Sequence, residues 1–178
     1  GNLIRVDDVV IAGDKFSHFF NVGWEYFKRL GEDKDDSVAI NFGLASENGL
    51  WGMTTTGVFS FADLVSNYDG MVFWRDFISQ GDQTSISHVE CRDQQWVEVR
   101  TFHWRDWVND GWDEAINCSV FAERMRDRVM DAISNPVVEG AASSCQATQE
   151  FCSDTMAHYG EAGQHMLTPI CQQLLNSN

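Results

Sequence analysis

The chain has 178 residues, an apolar fraction of 43% and a formal charge of −15 at neutral pH. This length predicts a single domain over residues 1–178 with a substantial core. The charge argues against nucleic acid as a partner, because nucleic-acid binding needs a basic surface. No apolar run of the sequence approaches the roughly 18 residues of a membrane span, so membrane insertion is not expected. No signal peptide is visible, and the abrupt start at Gly1 fits a domain excised from a longer chain.

Helical spacing of apolar residues begins after an extended lead-in. Asp14 suits an N-cap, and the aromatic pattern from Phe16 onward predicts a helix that stops at Gly31. An acidic loop follows, and a shorter helix is predicted from Asp36 or Ser37 to Asn48-Gly49. Glu47 then falls in the last turn of this helix. A negative charge there faces the negative end of the helix dipole, which raises the pKa, as a general acid requires.

The rest of the chain alternates short elements with turns. Ser60-x-x-Asp63 resembles a capping box, and it predicts a helix to about Asn67, interrupted at Gly70 and followed by a second helical piece over 71–78. Alternation over 88–91 and 96–100 predicts a β-hairpin. Ser119 is predicted to cap a helix that stops before Pro136. Further helical pieces are expected around 144–159 and 169–176.

Five cysteines are present without a Cys-x-x-Cys pair, so a zinc ribbon is not expected. Cys145 and Cys152 flank a short polar stretch and could pair if it loops. The odd count leaves at least one thiol free. An oxidising destination is possible on this pattern.

Glu47 and the segment after it are the first candidate for chemistry. Glycoside cleavage needs a carboxylic acid of raised pKa and a second group that guides water or stabilises the cationic transition state. Glu47 is predicted to be the acid, and Asp63 the second carboxylate, although the same spacing also fits a plain helix cap. Other candidates for the second group are Thr55, Thr56, Asp113 and Glu114. The sugar site is predicted to be shaped by Trp51, Thr55, Thr56 and Asn67.

Two alternatives remain open. Asp14 and His18 share a helix face, and with Glu47 and Asp63 they would make a metal-dependent hydrolase. The cluster of Trp104, Trp107 and Trp112 would instead suit a non-catalytic module that binds sugar or protein. The favoured prediction, glycan cleavage by Glu47, requires no metal and no cofactor.

Four segments of the chain resemble a known family. They are Asp14-Lys15-x-x-His18-Phe19, Glu47-x-Gly49-Leu50-Trp51-Gly52, Gly57-Val58-Phe59-Ser60-x-x-Asp63-Leu64 and Trp112-Asp113-Glu114-Ala115-Ile116-Asn117. With them the chain resembles the lysozyme-like C-terminal domain of bifunctional type VI secretion effectors that also carry an amidase domain. The resemblance implies a mainly α (α+β), lysozyme-like fold with a small β-hairpin, and muramidase activity on peptidoglycan.

The resemblance also implies a setting for this activity. The protein would be secreted, act in the periplasm of a competing bacterium and have a cognate immunity protein as a partner. The family's catalytic glutamate maps onto Glu47. The Glu, Asp, Thr spacing of phage lysozymes is absent after Glu47, since Asp63 falls later than that pattern places it. The resemblance therefore leaves the second catalytic group unassigned.

Overall fold

A computed structural model describes residues 2–30, 35–49, 51–78, 87–125, 127–128 and 145–177. Helices dominate these ranges, and short strands pair in three antiparallel two-stranded sheets. The predicted mainly α (α+β) class is confirmed. The lysozyme-like arrangement of the helices stays a prediction.

The chain begins with a hairpin and then turns into a long helical segment. Strands β1 (Leu3–Val6) and β2 (Val9–Ala12) pair across a tight turn. Helix α1 (Lys15–Ser17), a π-helical turn (His18–Val22) and helix α2 (Gly23–Phe27) then follow without a break. Asp14 occupies the predicted N-cap position, but its backbone has helical φ and ψ angles and its side chain caps no backbone N–H. Its carboxylate instead faces the Lys15 ammonium at 3.4 Å.

Helices α3 (Asp36–Asn48) and α4 (Phe61–Ile78) carry most of the candidate site. Helix α3 has the predicted bounds, and the Asp35 side chain caps it by accepting from the Ser37 N–H. Helix α4 runs through Gly70, so the predicted break there is wrong. A Cβ at Gly70 would lie 1.9 Å from the Phe19 carbonyl oxygen, and one at Gly23 would lie 2.6 Å from the Gly70 Cα. Glycine therefore allows close packing between α4 and the helical segment of residues 15–27.

A second hairpin and a third strand pair follow. Strands β4 (Val89–Arg92) and β5 (Gln95–Glu98) form the hairpin that the sequence predicts. Strand β3 (Val58–Phe59) pairs with β6 (Val120–Phe121). The predicted helix from Ser119 is wrong at its start, because this backbone is extended and bonded to β3. Positions 129–136 of that prediction lie outside the described residues.

Short 3₁₀ turns and a helical C-terminal part complete the described chain. The described 3₁₀ turns are Trp104–Asp106, Asp110–Trp112, Glu123–Met125 and Gly160–Ala162. Residues 127–128 are helical, and the described helices after them are α5 (Gln149–Tyr159), α6 (Gly163–Met166) and α7 (Pro169–Leu175). Helices α5 and α7 confirm the predicted C-terminal helical pieces. None of the described helices is long and apolar enough to span a bilayer.

The core is built around aromatic rings. Phe19 is fully buried and its ring contacts Phe73 and three tryptophans, Trp104, Trp107 and Trp112. Trp112 is fully buried, and Trp104 and Trp107 pack partly buried against the same core, so the tryptophan cluster contributes to the core. A binding module built on this cluster stays a prediction.

Two disulfides fix the C-terminal part of the chain. Cys118 bonds Cys145, and Cys152 bonds Cys171, which joins α5 to α7. The considered Cys145–Cys152 pair is therefore wrong, because each sulfur has a partner in another element. Cys91 is free and exposed.

Candidate functional site

Glu47 lies in the last turn of α3 and is almost fully buried. Its side chain is 5% exposed, and its Oε2 accepts a hydrogen bond from the Ser60 backbone N–H at 3.1 Å. This bond ties the end of α3 to the start of α4. A buried carboxyl group with one donor is poorly compensated as an anion, which favours its protonated form.

The loop after α3 holds the Glu47 backbone in place. The Met53 N–H donates to the Glu47 carbonyl oxygen at 2.7 Å, and the Trp51 N–H donates to the Ser46 carbonyl oxygen at 3.3 Å. The loop thus satisfies carbonyls that a helix C-terminus leaves without partners. Gly52 allows this close wrapping, since a Cβ there would lie 2.0 Å from the Glu47 carbonyl oxygen.

We expect Gly52→Ala to destabilise the protein by about 1–3 kcal/mol and to displace Glu47, because the added methyl group overlaps backbone that cannot move freely. Chemical denaturation measures the loss of stability. Thr54→Ala in the same loop is the matched control. Thr54 is exposed, so this change should fall within about 0.5 kcal/mol of the wild type. Equal stability of the two variants would contradict the proposed wrapping.

A fully buried lysine organises the carboxylates around Glu47. The Lys15 ammonium is 0% exposed, donates to the Asp63 carboxylate and lies 2.8 Å from Glu114 Oε1. Burial lowers the pKa of Lys15, but the charges of Asp63, Glu114 and Asp14 outweigh it and hold the pKa above its usual range. The site therefore has a fixed positive charge at its centre.

His18 and Asn67 form a second set of contacts to this cluster. His18 Nε2 lies 3.3 Å from Asp63 Oδ2, and its Nδ1 lies 3.0 Å from Asn67 Oδ1. Asn67 in turn donates to the buried Tyr26 hydroxyl oxygen at 3.3 Å. Asp63 and Asn67 are one helical turn apart on α4, so they face the same side. Asn67, predicted to shape the sugar site, is buried here and orients His18.

Ser60 connects three of the acidic residues. Its N–H bonds Glu47, its hydroxyl donates to Glu114 Oε1 at 3.2 Å, and the same hydroxyl accepts from the Asp63 N–H at 3.1 Å. The last bond confirms the predicted cap at Ser60. The Asp63 carboxylate does not act as the predicted helix cap, because the Ser60 N–H donates to Glu47 and the carboxylate contacts Lys15 and His18 instead. Its role as the second catalytic group stays a prediction.

The side chains of Asp113 and Glu114 point in different directions, as expected for adjacent residues. The Asp113 carboxylate accepts from the Ala115 N–H and holds a turn, whereas Glu114 reaches Lys15. Glu114 is therefore the member of this pair that joins the cluster.

Burial raises the pKa of Glu47 to about 7, and the negative charges of Asp63 and Glu114 add to the rise. The Ser60 N–H and the Lys15 ammonium act in the opposite direction. The predicted direction is confirmed, but its main cause is burial rather than the helix dipole. Glu47 is thus poised between its acid and base forms near neutral pH.

We expect folding stability to fall as pH rises from about 4.5 to about 7. In this window the folded protein keeps a proton on Glu47 that the unfolded chain has lost, so raising the pH favours unfolding, by about 3 kcal/mol at most. Denaturant titrations across this range measure the slope. Glu47→Gln should reduce it, and only in part, since burial also raises the pKa of Asp69 to about 7. An unchanged slope in the variant would contradict the assignment.

The three loop residues predicted to bind sugar lie near the end of α3. Trp51 is 59% exposed and its ring lies edge-on to Phe42, so it adds little to the burial of Glu47. An exposed indole remains available to stack on a sugar ring. The hydroxyls of Thr55 and Thr56 donate to the Gly52 carbonyl oxygen. Their roles in substrate binding stay predictions.

Three of the four residues considered for a metal lie together. Ligand atoms of Asp14, His18 and Asp63 all fall within 4.8 Å of one another. Glu47 is not part of that group. The Lys15 ammonium contacts both carboxylates of the group, so a cation already neutralises them. This contact works against a divalent metal ion at the same place.

Lys15 is the main member of the site that the sequence prediction missed, together with Tyr26 and Ser60. A signal was present: Lys15, Phe19 and Tyr26 follow helical spacing on one buried stripe. A lysine on such a stripe needs a carboxylate partner, because an unpaired buried charge is costly.

No protein-family model matches this chain, and neither a curated protein nor a solved structure matches it.

Proposed function

We propose that the protein cleaves the glycan strand of peptidoglycan, with Glu47 as the general acid. One observation carries this proposal: the Glu47 carboxyl group is buried with a single hydrogen-bond donor, which raises its pKa, and it lies near a second carboxylate, Asp63, that is paired with the Lys15 ammonium. Most glycosidases use two carboxyl groups whose surroundings give them different pKa values, so that one is protonated while the other is ionised.

The roles follow from these surroundings. Protonated Glu47 donates its proton to the glycosidic oxygen as the bond to the sugar breaks, and positive charge develops on the ring. Asp63 is the favoured second group, because its charge is the strongest of the nearby charges acting on Glu47. It would stabilise the cationic ring or direct water. Glu114, which shares Lys15 with it, is the alternative second group.

The proposal also includes where the protein acts and which partner protects its producer. The two disulfides support a secreted protein, since such bonds persist in oxidising compartments such as the bacterial periplasm. We place the action in the periplasm of a target bacterium, with peptidoglycan as substrate and an immunity protein as the partner that protects the producer.

Digestion of purified sacculi tests the activity. Soluble fragments with new reducing ends at muramic acid, identified by mass spectrometry, are the expected product. Anhydro ends would instead indicate that the protein cleaves the same bond by lytic transglycosylation. Binding to sacculi without released fragments would favour the non-catalytic module and overturn the enzyme.

A metal-dependent hydrolase is the second candidate, because Asp14, His18 and Asp63 lie within ligand distance of one another. Chelation distinguishes the two. Activity that survives extensive dialysis against a chelator supports the metal-free acid mechanism. Loss on chelation with recovery on adding a divalent metal would favour the alternative.

A further inference from the structure

A second polar site lies on another side of α4. Asp69 follows Asp63 by six residues, which turns its side chain by roughly 120° around the helix axis. It borders a cleft of about 790 Å³, and neither Glu47 nor Lys15 contributes to the described lining. The volume is in the range of ligand sites for small organic molecules.

Asp69 is held at the wall of this cleft by three donors on one oxygen. Its Oδ2 accepts from the Trp112 indole N–H at 2.7 Å, the Tyr159 hydroxyl at 2.9 Å and the Asn109 amide at 3.3 Å. The residue is only 6% exposed. Within the described part of the chain, its Oδ1 accepts no hydrogen bond. A carboxylate that is held by three donors and keeps one oxygen without a partner is suited to bind a ligand, unlike a solvated acid on the surface.

The other charges around the cleft favour a positive ligand. Its two arginines have acidic neighbours: Arg75 lies 3.6 Å from Asp36, and Arg105 lies 3.9 Å from Asp7. Three further acids line the cleft and form no ion pair with another described residue, namely Asp110, Glu150 and Asp154. The negative charge is therefore in excess at this face.

Aromatic side chains provide the remaining walls. Tyr68, Trp107 and Tyr159 line the cleft together with Phe151. Aromatic faces attract cations and pack against methylene chains. We propose that this cleft binds an organic cation with a primary ammonium group, such as a diamine or the basic side chain of a peptide, and that Asp69 Oδ1 accepts from the ammonium.

Titration with 1,5-diaminopentane at about pH 8, where Asp69 is ionised, followed by two-dimensional ¹H–¹⁵N NMR, tests the proposal. The Trp112 indole N–H bonds Asp69 directly, so its signal should move and saturate as the diamine binds. The neutral 1,5-pentanediol, matched in length, should leave the signal in place. A lysine-containing tripeptide and its acetyl-lysine form then distinguish a peptide source from a free diamine. Absence of a saturable shift with every amine, or equal shifts with the diol, overturns the proposal.

Asp69→Asn is the direct variant. The asparagine oxygen can keep the three donors while its amide replaces the available oxygen, and affinity should fall about tenfold or more. If the folded variant keeps wild-type affinity, Asp69 has a purely structural role and the proposal fails. If Asp69→Asn does not fold, Asp154→Asn at the exposed edge of the cleft serves instead, and its diamine affinity should fall about threefold. Asp8→Asn is the control and should leave the diamine affinity unchanged.

Glu47→Gln separates this site from the proposed catalytic one. It should leave diamine affinity unchanged, and a loss would overturn the idea of two distinct sites. A failure to digest sacculi would sink the proposed function without touching the NMR result, since the titration requires no catalysis.

Discussion

Glu47→Gln is expected to abolish release of fragments from sacculi while the protein stays folded. Glutamine has the same shape and its side-chain oxygen can still accept from the Ser60 N–H, but it has no acidic proton to transfer. General acid catalysis contributes roughly 10²–10⁴-fold, so turnover should drop at least a hundredfold. Fragment release measured by mass spectrometry, with circular dichroism as the check on folding, decides the matter.

Glu98→Gln is the matched control for this change. Glu98 lies on β5, is exposed and is remote in sequence from the cluster. It should digest sacculi at the wild-type rate. Full activity in Glu47→Gln would contradict the assignment of Glu47 as the general acid, whether Asp63 or Glu114 is the second carboxylate.

Lys15→Met is expected to cost about 3–5 kcal/mol of stability. Methionine fits the buried stem of the lysine, but it removes the charge that the Asp63 and Glu114 carboxylates share. Asp63 and Glu114 would then lie close together without the ammonium that they share. The free energy of unfolding from urea titration measures the loss.

Lys28→Met provides the contrast. Lys28 pairs with Glu25 at 2.6 Å but is exposed, so water already screens the pair, and the loss should be below about 1 kcal/mol. Adding Asp63→Asn to Lys15→Met should recover part of the stability, because it removes one of the unpaired charges. A Lys15→Met protein as stable as Lys28→Met would contradict the central role of the buried ammonium.

Local patterns in the sequence predict the parts of this fold that depend on near neighbours. The bounds of α3 follow from the acidic start and from Asn48-Gly49 at its end. The hairpin of β4 and β5 follows from the alternation of polar and apolar residues around Asp93 and Gln94, which both have positive φ in the turn. The place of Glu47 in a last helical turn was predictable for the same reason.

Contacts between distant segments were not predictable in this way. Asp14 has the chemistry of a cap, but the Lys15 ammonium competes for its carboxylate. Val120 and Phe121 suit a helix by spacing, yet they pair with β3, more than 60 residues earlier. Such tertiary contacts override local helix propensity. They form only once the chain has folded, so local sequence patterns do not predict them.

The candidate site shows the same division. Glu47 and Asp63 were identified from local signals, whereas their common neighbour Lys15 was not. The contacts of Lys15 with Asp63 and Glu114 span 48 and 99 residues of sequence. Helical spacing can indicate that Lys15 is buried, but it cannot indicate which carboxylates meet it.

The glycine contact between α4 and the helical segment of residues 15–27 has a consequence for tracing this protein's ancestry. Gly23 and Gly70 leave no room for a side chain on either partner, and neither is a member of the cluster. Replacing either glycine would require the two backbones to move apart. We expect distant relatives to show glycine at both positions together with His18, Glu47 and Asp63, even where little else can be aligned. That five-residue signature offers a way to find them.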